Sequence, residues 1–139
     1  MVTVDVFNAH PDRKVRAAEA GRYVRKALRV LGVDRARVSV VFVDSRHSRT
    51  MNRWYLRHDY STDVLSFTLE RAPLLEGEIY VNLDRARRQA REYGVSMNNE
   101  VARLVIHGTL HLVGFDDSTA RKARRMKAEE DRQLRYWFH

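Results

Sequence analysis

The chain has 139 residues, a formal charge of +8, 44% hydrophobic residues and no cysteine. That length and apolar content suit a single domain with one core, and the missing cysteine excludes disulfides, thiolate-bound zinc and cysteine nucleophiles. No apolar run approaches the roughly 18 residues of a membrane span and the N-terminus lacks the features of a secretory signal, so the sequence predicts a cytoplasmic protein whose excess of Lys and Arg favours a polyanionic partner.

Residues 2–7 alternate apolar and polar with Val4 and Val6 in phase, which predicts a first strand ended by Asn8 and Pro11. In residues 13–31, Val15, Ala18, Tyr23, Ala27, Leu28 and Leu31 recur at three- and four-residue steps, predicting a helix closed by Gly32. Residues 38–43 are β-branched and almost wholly apolar, the pattern of a strand covered on both faces, and Asp44-Ser45 then offers an N-cap for a short helix holding Met51, Trp54 and Tyr55. Residues 63–69 and 77–83 are two further strands joined through a loop with Pro73.

Residues 84–93 form a charged helix closed by Gly94, and Ser96 caps the next one, whose Val101, Leu104, Val105 and Leu112 make a buried stripe. After Gly114 the chain turns, Ser118 is placed to cap again, and residues 119–137 form a last helix rich in Arg, Lys, Glu and Asp. The fold class expected is α+β: one small four-stranded mixed sheet with helices packed against it, and the helix bearing His107 and His111 at the centre.

Positions four apart on a helix share a face, so His107 and His111 are placed to meet one ion. Gly114 allows the chain to stop and double back, bringing Asp116 and Asp117 toward the same place. On the residues alone two readings stand, a metal site and a pair of ordinary half-buried histidines followed by a helix cap.

The stretch His107-Gly108-Thr109-Leu110-His111-Leu112-Val113-Gly114-Phe115-Asp116-Asp117 resembles the signature HGxLHLxGYDH of the YbeY family, bacterial rRNA maturation factors and metal-dependent endoribonucleases. Thr62-Asp63-Val64-Leu65-Ser66-Phe67 is similar to the family's TDVLSF, and Gly77-Glu78-Ile79 to its GDI segment. The resemblance implies one YbeY-like domain over 1–139 and a metal held by His107, His111 and Asp117, with Asp117 standing where the family has a third histidine. A carboxylate there lowers the charge of the site by one and leaves zinc first among iron, manganese and nickel. Family members also carry an arginine directly after the tyrosine that precedes TDVLSF. Here that position is Leu56, with Arg57 one residue later, either a phosphate contact or a solvated helix charge.

A Lewis-acidic metal with three protein ligands keeps a position open for water, which points to hydrolysis. Gly108 stands where protease zincins have their catalytic Glu, so peptide hydrolysis is disfavoured. The resemblance implies single-stranded RNA as substrate, maturation of the 3′ end of small-subunit rRNA and ribosome quality control as the setting, and the small ribosomal subunit as partner. His107 and His111 would act through the metal, with Arg57 as a further catalytic candidate. An rRNA-binding assembly factor with a structural metal and a different metal-dependent hydrolase are the alternatives. His58 and Asp59 read as a turn, Asp63 as a strand start or a support for the metal loop, and Ser66 as a sheet residue.

Overall fold

The computed structural model describes residues 1–56 and 62–138. Its valine-rich segments β1 (Val2–Asn8) and β2 (Ala36–Val43) run parallel, as do β2 and β4 (Leu75–Asn82), while β3 (Val64–Glu70) pairs antiparallel with β4. The strand order is β1-β2-β4-β3, so the sheet is four-stranded and mixed. Five helices complete the chain: α1 (Ala17–Val30), α2 (Ser45–Tyr55), α3 (Leu83–Tyr93), α4 (Met97–Val113) and α5 (Ala120–Trp137).

The core lies between the sheet and the layer formed by α1 and α4. Val38, Val40 and Phe42 of β2 and Ile79 and Val81 of β4 are fully enclosed there with Val24, Leu28, Leu104, Leu110 and Leu112. The expectation that β2 is covered on both faces does not hold. Its alternate residues Arg37, Ser39 and Val41 are exposed or half-buried, because the long helices pack on one face and leave the other largely open.

Two close approaches seat α4 on the sheet. A Cβ at Gly77 would come within 2.6 Å of Leu112, and one at Gly108 within 2.6 Å of Ile79 and 3.0 Å of the Ser66 hydroxyl. Only hydrogen fits at either position, so α4 lies directly on β3 and β4.

Two boundaries differ from the sequence reading for local reasons. The first helix starts at Ala17, not residue 13, because the preceding turn satisfies its backbone otherwise: the Asn8 amide donates to the Arg13 carbonyl, and His10 Nδ1 accepts from the N–H groups of Asp12 and Arg13. The last helix is capped by Thr119, which accepts from the Lys122 N–H, since Ser118 is turned back onto Asp116. Among the described residues no helix is long and apolar enough to cross a membrane.

Candidate metal centre

The α4 helix begins at Ser96, whose side chain accepts from the Asn99 N–H, and ends at Gly114 in the left-handed region (φ 118°). There the Gly114 and Phe115 N–H groups both return to the Leu110 carbonyl, closing the last turn. Between these caps His107 and His111 lie one turn apart, their ring centroids 4.8 Å from each other and their planes at 75°. Gly108, between them, puts no side chain toward the sheet, and its carbonyl accepts from the Ser66 hydroxyl at 3.1 Å. Ser66 therefore supports the helix, as a sheet residue rather than a nucleophile.

One of the two imidazoles is held from behind. His107 Nδ1 lies 2.6 Å from Oε1 of Glu130, a carboxylate on α5 whose side chain is only 2% exposed. Burial alone would raise the Glu130 carboxyl, but the hydrogen bond and charge of His107 and the cations Arg103 and Lys127 hold it below its ordinary value. It is therefore ionised at neutral pH and can only accept, so Nδ1 of His107 is the donor in this contact and Nε2 is the ring nitrogen left to face another partner. Around His111, burial and then the neighbouring His107 push the imidazolium down, against Asp117, the Phe115 backbone and Asp116. His111 stays below its ordinary value and is neutral at pH 7, the form a metal requires.

Behind the pair runs a buried ionic chain. Arg103 donates from Nε to Glu100 at 2.8 Å and lies 3.5 Å from Glu130, and the Gln89 amide donates to Glu100 at 2.7 Å. Burial would lower the Arg103 guanidinium, but the Glu100 hydrogen bond, followed by the charges of Glu100, Glu130 and Asp63, raises it. Arg103 is thus a permanent cation between two buried carboxylates, and the Asp63 charge on the strand-start loop reaches the same chain.

Asp117 is exposed at the turn after α4. It lines, with His107, Arg103 and Glu130, a cavity of about 600 Å³ between α4 and α5. Asp116 is engaged elsewhere: its carboxylate accepts from the Ser118 hydroxyl at 2.7 Å and from the Ser118 N–H at 3.0 Å, and lies 3.7 Å from Lys122. Among the described residues no three His, Asp or Glu side chains are gathered into a metal-sized group. Arg57, His58 and Asp59 lie outside the described residues. The sequence reading missed Glu130 and Glu100; the signal of Glu130 is phase alone, since Met126, Glu130 and Gln133 form one buried stripe of α5 amid solvated charges.

Comparison with known proteins gives the family. Residues 5–137 match the family described as Endoribonuclease YbeY. The chain is 37% identical over 129 residues to the Endoribonuclease YbeY of Chloroherpeton thalassium, covering 93% of this chain and 88% of the relative. It is 37% identical to that of Salinibacter ruber (94% and 89% covered) and 44% identical over 108 residues to that of Desulforamulus reducens (71% and 65%). In fold it is similar to the solution structure of TM1509 from Thermotoga maritima, with TM-score 0.63 and 23% identity over 97% of this chain and 91% of that one. By sequence over nearly its whole length the chain belongs to the Endoribonuclease YbeY family.

Proposed function

We propose that this chain, a single domain over residues 1–139, cuts single-stranded RNA by metal-assisted phosphodiester hydrolysis, with His107, His111 and Asp117 holding one divalent ion, zinc first. The observation that carries this reading is the pair of imidazoles on one face of α4, one tied through Nδ1 to a buried carboxylate. A histidine that donates one ring nitrogen to a carboxylate is the usual arrangement of a metal ligand. Asp117 supports it by lining the same cavity as His107 and by acting on the charge of His111.

When bound, a divalent ion supplies Lewis acidity toward a phosphoryl oxygen and a position for the attacking water. The chain's own residues do the rest. Glu130 fixes the ring of His107, burial keeps His111 uncharged, and Gly108 lets α4 sit close to the sheet. Arg103 is neutralised by Glu100 and Glu130, so phosphate charge is left to other cations, and Arg57 is assigned that contact. The setting proposed is the cytoplasm, with maturation of the small-subunit rRNA 3′ end, ribosome quality control and the small ribosomal subunit as partner.

Elemental analysis of the purified protein, with cleavage of a labelled single-stranded oligoribonucleotide by wild type and by His111→Ala, tests the reading. One zinc per chain in the wild type and loss of both metal and cleavage in a folded variant are expected. Undiminished cleavage by a metal-free His111→Ala protein overturns it, and stoichiometric iron displaces zinc.

A further inference from the structure

The second helix differs from the other four in carrying cations and no acid. It carries Arg46, Arg49 and Arg53, one turn apart on its exposed side, and no acidic residue, whereas each other helix holds at least one Asp or Glu. Asp44, the acid at its N-cap, is occupied by the His47 N–H at 2.8 Å. At the other end of the same helix Trp54 is 77% exposed and Tyr55 68%, both large rings left in solvent.

These rings have backing. Tyr55 meets Phe67 of β3 edge-on at 5.5 Å, and Phe67 meets Tyr80 of β4 in the same way at 5.8 Å, so the outermost ring is braced by the sheet. The nearby acid, Glu78, accepts from the Tyr80 hydroxyl at 3.3 Å. The helix is tied to the strand-start loop as well: Ser48 Oγ donates to the Thr62 carbonyl at 3.0 Å, beside Asp63, whose charge reaches Arg103 in the chain behind His107. An exposed tryptophan and a braced tyrosine following a row of arginines match what an unpaired nucleic acid strand needs. Bases offer π-faces to stack, and phosphates spaced along the backbone meet the cations.

We propose that α2 is a docking platform for single-stranded RNA, with Trp54 and Tyr55 stacking unpaired bases and Arg46 and Arg53 meeting the phosphates. The occupant is a single strand rather than a duplex, because bases held in pairs have no free face to offer these rings. The platform takes from the endoribonuclease reading only the choice of RNA.

Fluorescence of the full-length protein, loaded with its metal, tests the platform. Trp137 is packed edge-on against Tyr23 and Tyr136, so Trp137→Phe leaves Trp54 as the only tryptophan, excited selectively to the red of the tyrosines. Titration with a 12-mer of 2′-O-methyl uridylate should quench that emission. By anisotropy with the same labelled 12-mer, Trp54→Phe should bind within about threefold of wild type and Trp54→Ala about tenfold or more weaker. The slope of log affinity against log salt should fall by about 0.7 for Arg46 or Arg53 replaced by Gln. An unquenched Trp54, equal binding by Trp54→Ala, or equal quenching by a same-length duplex overturns the platform. Trp54 is 77% exposed, so its replacement removes little buried surface, and native circular dichroism of the variant confirms its fold. If Trp54→Ala binds weakly while cleavage survives in His111→Ala, the platform stands and the metal reading falls; the reverse pattern separates them the other way.

Discussion

Removing the carboxylate of Glu130 is the sharpest test of how the imidazole pair is held. Its side chain is 2% exposed and touches three cationic or imidazole groups: His107 at 2.6 Å, and Arg103 and Lys127 each at 3.5 Å. Breaking a buried pair by deleting one partner usually costs about 3–5 kcal/mol. Here Arg103 keeps Glu100 and Lys127 keeps Asp131 at 2.9 Å, so the lower end, about 3 kcal/mol, is expected for Glu130→Ala. Glu130→Gln preserves shape and an acceptor for Nδ1 but removes the charge, and should cost about half as much.

The metal-binding consequence is separate from the folding one. Without the carboxylate, His107 loses both the proton placement that frees Nε2 and the anchor of its ring, and loss of such a partner typically costs 10–100-fold in metal affinity. Zinc affinity measured by chelator competition, on variants whose circular dichroism is native, should fall about tenfold for Glu130→Gln and toward a hundredfold for Glu130→Ala. If both variants bind zinc within twofold of wild type while melting lower, Glu130 serves only to neutralise Arg103, and the reasoning is refuted.

Three further outcomes are expected. Asp117→His, which installs the imidazole of the family signature, should tighten zinc binding and Asp117→Ala should weaken it; equal affinities in chelator competition would remove Asp117 from the ligand set. Gly108→Ala gains about 1 kcal/mol of helix propensity but drives a methyl to 2.6 Å from Ile79, and such overpacking costs about 1–3 kcal/mol, so the melting temperature should drop and a rise would contradict the close seating of α4. At Asp84, burial would raise the carboxyl, but the hydrogen bonds from His10 and the Ser45 N–H, and the charges of His10 and Arg13, hold it below its ordinary 3.8. A depressed carboxylate contributes stability that is complete above its unfolded pKa and is lost as pH falls through the folded one. Wild type should therefore exceed Asp84→Asn in urea midpoint at pH 6, with the gap narrowing only as the pH drops below the ordinary carboxylate range.

Much of the fold was legible because its signals are local. The period of two in residues 2–7, the Asp44 cap and the glycines after Tyr93 and Val113 each act within a few residues, and the elements form where those signals lie. The openness of the second sheet face was not legible, because a valine-rich strand has the same composition whether one or two layers cover it. The imidazole pair was readable from its spacing. Glu130 was not, because a glutamate amid Arg and Lys on α5 looks solvated until the phase of Met126 and Gln133 shows which side of the helix turns inward. Gly108, noticed in the sequence for the glutamate it is not, proved to be required by Ile79 and Ser66.

The seating of α4 through Gly77 and Gly108 also bears on which part of the molecule opens first. With Leu112 against one glycine and Ile79 against the other, this helix has no soft layer beneath it to yield separately from the sheet. Backbone amides of 107–112 should exchange with solvent only through opening of the whole core, the slowest class of exchange. Glu130 reaches His107 from a helix whose other contacts are chiefly with α4, so α5 can detach in a smaller opening. The two histidines would then keep their spacing while the carboxylate that orients one of them comes and goes.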